Sequence, residues 1–357
     1  MNAAPGSEDP GTIDLRSDLH ARPTDEMWEA MRSAELGWAT YGEDPSVNEL
    51  QETVADLLGK EAGLWIPTCG MANLVAMLTV APRGSTVVLE ASSHVLTSES
   101  MGITEIAGLE PRSLWAKDGR MDPVEVEELV LETNASLLVL ENTHTRAGGT
   151  VMTPELTYAL ASMVQRHGTY VHLDGARLAN AAVALDVPLR DLAKPANTVA
   201  FSLNKGLCAP MGTILAGQAK VIELAHRTLR RLGGASVHKA GIPAAAGLLA
   251  LGLVDRLADD HRRARKLGSL LQQIKGVRLD PEKVETNIVL ADVGRTGLLP
   301  EELLPLLAEQ GVLGMERDTS RIRFVTHRLI GDAEIARAAE VVAAVVAERS
   351  AASDLRA

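Results

Sequence analysis

The chain has 357 residues, 46% of them hydrophobic and 23% charged, with a formal net charge of −12. That composition excludes a disordered, collagen-like or coiled-coil chain. The acidity and the 3% aromatic content leave neither a basic face nor stacking platforms for nucleic acid. Two cysteines, Cys69 and Cys208, are too few for a disulfide framework or a closed zinc site, and no metal is expected.

In chain order, Met1–Pro10 is polar and acidic, without the basic and apolar regions of a secretory signal. Short apolar runs then alternate with helical patterns from about residue 45 to 220. Leu64–Pro67, Thr86–Glu90, Leu137–Glu141, Tyr170–Asp174, Thr198–Leu203 and Thr213–Ala216 read as buried strands. Val47–Leu58, Asp122–Leu131 and Pro154–Arg166 carry the i, i+3, i+4, i+7 spacing of helices. The alternation predicts an α/β fold, a mostly parallel sheet in three layers with helices on both faces. From about Gly241 the pattern changes to an Ala/Leu-rich helix Ala244–Leu257 and a basic helix His261–Leu271. Strands Val277–Leu279, Asn287–Asp292 and Arg321–Val325 and helices Pro300–Glu309 and Asp332–Ala347 complete a smaller α/β domain. The expected division is an N-terminal arm over 1–20, a large domain over 21–250 and a small domain over 251–357. The longest apolar run, Ile242–Val254, contains Pro243 and two glycines and falls short of the roughly 20 residues of a membrane span. A cytoplasmic protein with no membrane partner is expected, and the sequon Asn134-Ala135-Ser136 is incidental in that setting.

Ligands in such sheets sit at the carboxyl ends of strands. One strand ends in His172-Leu173-Asp174-Gly175-Ala176-Arg177, the next in Ser202-Leu203-Asn204-Lys205-Gly206. Taken alone, Asp174 reads as half of an Asp–Arg structural pair and Lys205 as a snorkelling amine. Together they offer an acid that can keep a pyridine nitrogen protonated and an amine that can hold an aldehyde, the two requirements of pyridoxal 5'-phosphate. A third element fits: Thr68-Cys69-Gly70-Met71-Ala72-Asn73 opens a helix Leu74–Val80, and a helix start with small residues suits a phosphate. Cys69 at such a start would have a lowered pKa; it reads as a small packing residue rather than a nucleophile.

Six motifs stand in order between Ile13 and His327: Asp14-Leu15-Arg16-Ser17-Asp18, Tyr41-Gly42-Glu43-Asp44-Pro45, Glu141-Asn142-Thr143-His144, His172–Arg177, Lys205-Gly206-Leu207-Cys208-Ala209-Pro210 and Arg323-Phe324-Val325-Thr326-His327. This set resembles the threonine aldolases, pyridoxal-phosphate enzymes of the aspartate-aminotransferase fold (fold type I) that are grouped with the β-eliminating lyases. The resemblance implies that Lys205 is the Schiff-base lysine, Asp174 the partner of the pyridine nitrogen and Arg177 a neighbour of the phenolic oxygen. It further implies that His94 stacks on the ring, with His94 or His144 taking the substrate hydroxyl proton. Ser17 and Arg323 hold the substrate carboxylate, and Thr68, Cys69, Gly70, Ser202 and Arg231 surround the phosphate. Tyr41 arrives from a neighbouring subunit, so a homo-oligomer, a dimer of dimers, is implied.

The sequence also departs from that pattern. The phosphate loop lacks the usual threonine at its third position, which is Gly70. His238, in Gly234–Gly241, stands where the family has an arginine that approaches the substrate from the partner chain. The reaction implied is retro-aldol cleavage of a β-hydroxy-α-amino acid of the threonine or allo-threonine type to glycine and an aldehyde. The rival is β-elimination, transaldol or racemase chemistry on another β-substituted amino acid. Ser202-Leu203-Asn204-Lys205 also spells the Ser-x-x-Lys of acyl-enzyme hydrolases, but that motif opens a helix, and here a strand precedes it while Gly206 and Pro210 follow. A non-catalytic α/β protein leaves the intact trio Lys205, Asp174 and Arg323 unexplained.

Overall fold

A computed structural model of the chain describes residues 11–99 and 101–354. The acidic Met1–Pro10 stretch, and with it the first half of the expected arm, lies outside the described residues. The chain forms two compact units, Arg22–Asp255 and a second in which the N-terminal segment up to Ala21 joins everything from Arg256 onward.

The larger unit holds a seven-stranded sheet: β1 Ala62–Ile66, β2 Thr86–Glu90, β3 Glu110–Leu114, β4 Leu137–Glu141, β5 Tyr170–Gly175, β6 Thr198–Ser202 and β7 Thr213–Gly217. Their order across the sheet is β1-β7-β6-β5-β4-β2-β3, and only β7 runs against its neighbours. Val87, Val88 and Leu89 of β2 are all fully buried, as are Leu137 and Leu138 of β4. Successive strand side chains point to opposite faces, so both faces are covered, which is why these strands read as unbroken apolar runs. The edge strand β3 (Glu110-Pro111-Arg112-Ser113-Leu114) is polar and mostly exposed, and no apolar run announces it in the sequence.

Three connecting helices begin with one device, a capping side chain followed by proline. Asp44, Asp122 and Thr153 accept bonds from backbone N–H groups at the starts of Pro45–Leu58, Pro123–Thr133 and Pro154–Gln165. Each cap is worth about 1 kcal/mol, and proline at the first helical position has no N–H to leave unpaired. The expected helix Ala244–Leu257 is instead two: Gly241–Leu251 ends before Gly252, and Leu257 opens the next helix, Leu257–Leu271. Glycine costs about 1 kcal/mol in a helix interior, and Gly252 marks the break.

In the smaller unit β8 Ile288–Asp292, β9 Met315–Glu316 and β10 Arg321–Val325 form an antiparallel sheet, with β10 between the other two. The expected strand Val277–Leu279 is only an isolated bridge between Arg278 and Asp292. Ile13–Asp14 pairs in parallel with Val312–Leu313, and Val325 N donates to Leu15 O at 2.8 Å, so the N-terminal segment is bonded into this unit. Ile13 and Leu15 share its core with Ile322, Phe324 and Val342.

Burial pushes the pKa of His172 in the larger unit and His261 in the smaller from 6.5 down to about 4. As pH falls, the unfolded chain takes up these protons first. Their contribution is therefore constant above pH 6.5, declines as pH falls to about 4 and levels off below, with up to about 3 kcal/mol at stake for each. His261→Gln is expected to remove about one proton from the acid slope of unfolding free energy, measured by denaturant titration between neutral pH and pH 4. An unchanged slope would refute the neutral assignment.

Candidate active site

The carboxyl ends of β2, β4, β5 and β6 carry Glu90, Glu141, Asp174 and, just beyond Ser202, Lys205. The chain order reverses between β2 and β4, the position where such sheets open a crevice.

Asp174 is almost fully buried, and three donors converge on it. Asn73 Nδ2 reaches Oδ2 at 3.0 Å, while Ala176 N at 3.0 Å and the Cys69 thiol at 3.6 Å reach Oδ1. Cys69 differs from the lowered pKa expected at a helix start. Burial of the thiol, reinforced by the charge of Asp174, pushes its pKa well up against the opposing Lys205, so it acts as a donor. The helix begins one turn earlier than its apolar pattern, at Cys69, with Thr68 capping Met71 N. The first N–H groups of a helix have no partners within it, and here Thr68 takes one of them, that of Met71.

His94 opens the short helix His94–Thr97. Its Nδ1 lies 3.1 Å from Glu99 Oε1, which also accepts from Asn73 Nδ2 at 2.9 Å. The Glu99 bond raises the pKa of His94 above 6.5, with burial and the charge of Lys205 pulling the other way. One side-chain nitrogen of His94 and one carboxylate oxygen each of Glu99 and Asp174 all lie within 4.8 Å of one another. Two bare carboxylates that close repel by about 3 kcal/mol or more at an effective dielectric near 20, and the Asn73 amide between them supplies the compensating donors.

His144 has different surroundings. It is buried, its Nε2 lies 3.0 Å from Glu90 Oε2, and its Nδ1 accepts from Ala147 N at 3.3 Å. The donor pattern places the proton on Nε2. Gly119 packs so tightly on the ring that a Cβ there would stand 2.4 Å from it. Glu90 also accepts from Ser92 and from Ala116 N. Burial opposes its ionisation, but these donors together with His144 hold its pKa down to about 2. Glu141 accepts from His94 N at 2.7 Å and Thr145 N at 2.8 Å, tying the two histidine-bearing loops to one strand end. Arg177 is buried and donates Nη1 to Thr145 Oγ1 at 3.0 Å.

Ser202 donates to Asn204 Oδ1 at 2.7 Å in the turn that leads to the half-buried Lys205. Arg231 is exposed at the end of the helix Ala219–Arg231; three residues on, a Cβ at Gly234 would meet Met71 Sδ at 2.6 Å, which sets this turn against the start of Cys69–Val80. Tyr41 and His238 both stack edge-on against Trp38, at centroid distances of 4.8 and 6.0 Å. In the smaller unit Arg323 Nη2 donates to Arg16 O at 3.0 Å, which brings it beside Ser17.

The model of the β-eliminating lyases matches residues 14–294. A low-specificity L-threonine aldolase of Arabidopsis thaliana is 38% identical over 335 residues, covering 91% of this chain and 93% of its own. The chain belongs to the β-eliminating lyase family. A low-specificity L-threonine aldolase of Escherichia coli K12 is 34% identical over 79% of this chain and 85% of its own. The solved structure of a threonine aldolase from Leishmania major superposes with a TM-score of 0.78 at 20% identity, covering 94% of this chain and 99% of that one. The fold is thus the fold type I arrangement expected from the motifs.

Asn73, Glu90, Glu99 and Glu141 are absent from the motif-based set of site residues. Asn73 left one signal, a lone amide ahead of the mostly apolar run Leu74–Val80; Glu99, five residues after His94, left none. Glu99→Gln removes the bond that raises His94, so the His94 pKa is expected to fall. Proton NMR titration of the imidazole checks it, and a midpoint that stays in place would separate Glu99 from His94.

Proposed function

We propose that this lyase cleaves threonine-type β-hydroxy-α-amino acids to glycine and an aldehyde with pyridoxal 5'-phosphate, in the cytoplasm. The observation that carries the reading is the His94–Glu99 pair beside Asp174: Glu99 takes the Nδ1 side of the imidazole, which leaves Nε2 to receive a proton. The donor set fits the cofactor: a carboxylate ringed by donors at the end of β5, a lysine just after the adjacent β6 and the start of the helix Cys69–Val80. When bound, that group supplies an aldehyde that links to amines and a ring that stores the electron pair of a broken bond.

Lys205 would hold the aldehyde carbon, and Asp174 would accept from the protonated ring nitrogen. Arg177 would serve the phenolic oxygen, and Thr68, Cys69, Gly70, Ser202 and Arg231 the phosphate. Arg323 and Ser17 fix the substrate carboxylate, which selects the bond to be broken by orientation. His94 Nε2 accepts the β-hydroxyl proton, the Cα–Cβ bond breaks, the aldehyde leaves, and protonation at Cα gives glycine. His144, with both ring nitrogens engaged, positions its loop. The assembly is a homo-oligomer, a dimer of dimers, in which Tyr41 and His238 reach a neighbouring copy's substrate.

Protein loaded with pyridoxal phosphate and given L-threonine or L-allo-threonine is expected to release glycine and acetaldehyde in equal amounts. Ammonia and 2-oxobutyrate as main products would decide for β-elimination. Borohydride is expected to fix the cofactor to Lys205, read by peptide mass. Activity should rise with pH through a midpoint above 6.5, because the raised His94 must lose its proton to act as base; a profile flat from pH 6 to 9 removes His94 from that role. Arg323→Ala should cost about 2–5 kcal/mol in kcat/KM by leaving a carboxylate unpaired, with little change in cofactor affinity. Equal losses in both would displace Arg323 from the substrate.

A further inference from the structure

We propose that Asn73 is a positioning residue that clamps Asp174 and Glu99 through one amide nitrogen, with His172 fixing the sense of the amide from behind. The proposal rests on the roles given above to Asp174 and His94, and it adds what holds them in register.

Asn73 is wholly buried, and its polar atoms are engaged in a single pattern. Nδ2 carries two protons and spends one on Asp174 Oδ2 and one on Glu99 Oε1. Oδ1 lies 3.0 Å from His172 Nε2, and His172 Nδ1 lies 2.9 Å from Thr198 Oγ1. His172 and Thr198 are also fully buried. Burial holds the imidazole neutral, its pKa pushed down to about 4, so it carries one proton. That proton sits on Nε2, because Asn73 Oδ1 can only accept, and Thr198 then donates to Nδ1. Reversing the amide would face an oxygen with two carboxylates and an NH₂ with an N–H. The alternative arrangement is lost on both sides, and low-dielectric surroundings make each mismatch costly.

The relay runs Thr198–His172–Asn73 and then forks, one arm to the ring-nitrogen partner and one through Glu99 to the base. A single amide thus sets the distance between the group that stabilises the stored electrons and the group that orients the proton acceptor. Without it, Asp174 and Glu99 face each other unshielded, and Glu99 is displaced from His94.

The charged groups acting on His94 are Glu99, Asp174, Glu141 and Lys205. Asn73→Leu keeps the branching and the number of heavy atoms and removes every polar atom. In the cofactor-free protein the His94 midpoint, assigned with His94→Asn and read by proton NMR, is expected to fall toward that of Glu99→Gln. On titration with pyridoxal phosphate the Kd is expected to rise about tenfold, the loss of one bond to a charged group. His172→Phe, which leaves Asn73 in place but frees its amide, should shift His94 in the same direction, and His172→Gln, which restores an N–H toward Oδ1, should return it. A His94 midpoint that stays put or rises in Asn73→Leu overturns the clamp even when the melting temperature falls, since lost stability is all that a simple strut would show. Where Asn73→Leu does not fold, the His172→Phe midpoint decides by the same criterion. Neither readout needs turnover. A wild-type protein that makes no glycine sinks the proposed reaction and leaves the clamp standing, and normal turnover with an unmoved His94 does the reverse.

Discussion

A carboxylate buried at the end of a central strand is the constraint around which this site is arranged. Removing Asp174 from water costs several kcal/mol unless donors replace the lost hydration. The structure supplies an amide from one helix, a thiol from the start of that helix and a backbone N–H from its own turn. Each donor restricts a segment: the helix Cys69–Val80 must start where it does, and the turn after β5 must close on its own aspartate. The backbone geometry that solves the solvation problem is therefore the geometry that presents a helix start, an acid and a lysine together.

Glu90 and Glu141 repeat the solution at neighbouring strand ends. Both accept from backbone N–H groups of the loops around them. Glu141 bonds the loops that carry His94 and Thr145, and Glu90 bonds the His144 ring. Binding loops usually pay an ordering entropy when a ligand arrives. Here buried acids have met that cost during folding, the kind of preorganisation that electrostatic catalysis requires.

What was legible in the sequence follows from the same physics. The central strands announce themselves because both faces are buried, and Asp174 and Lys205 stand out as charges at the ends of apolar runs. The polar edge β3 has no such contrast, and Gly252 breaks a helix whose composition alone reads as continuous. At the site, the motifs named the residues that the resemblance assigns to a ligand. They did not reveal the groups that hold those in place, because that information lies in contacts across long sequence separations: Asn73 meets Asp174 101 residues away, and His144 meets Glu90 54 residues away. No local spacing rule encodes such a meeting, whereas the partners themselves are ordinary residues of a helix, a strand end and a loop.

The histidines show how far residue type alone falls short of role. His94 is half-exposed, with Glu99 on Nδ1 and a pKa raised by that bond. His144, buried to the same degree as its glutamate, has both nitrogens engaged within the protein. His172 is held neutral by burial and serves Asn73, and His327 donates Nε2 to the Asp14 carbonyl at 2.9 Å, tying β10 to the N-terminal segment beside Arg16 and Ser17. The four share one functional group, and the partner on each nitrogen decides the outcome. The resemblance makes both His94 and His144 candidates, yet His94 has its carboxylate on Nδ1 and a half-exposed side chain, whereas His144 is buried with both nitrogens engaged. A base has to bring an acceptor nitrogen to its ligand, and burial with two internal partners withholds it.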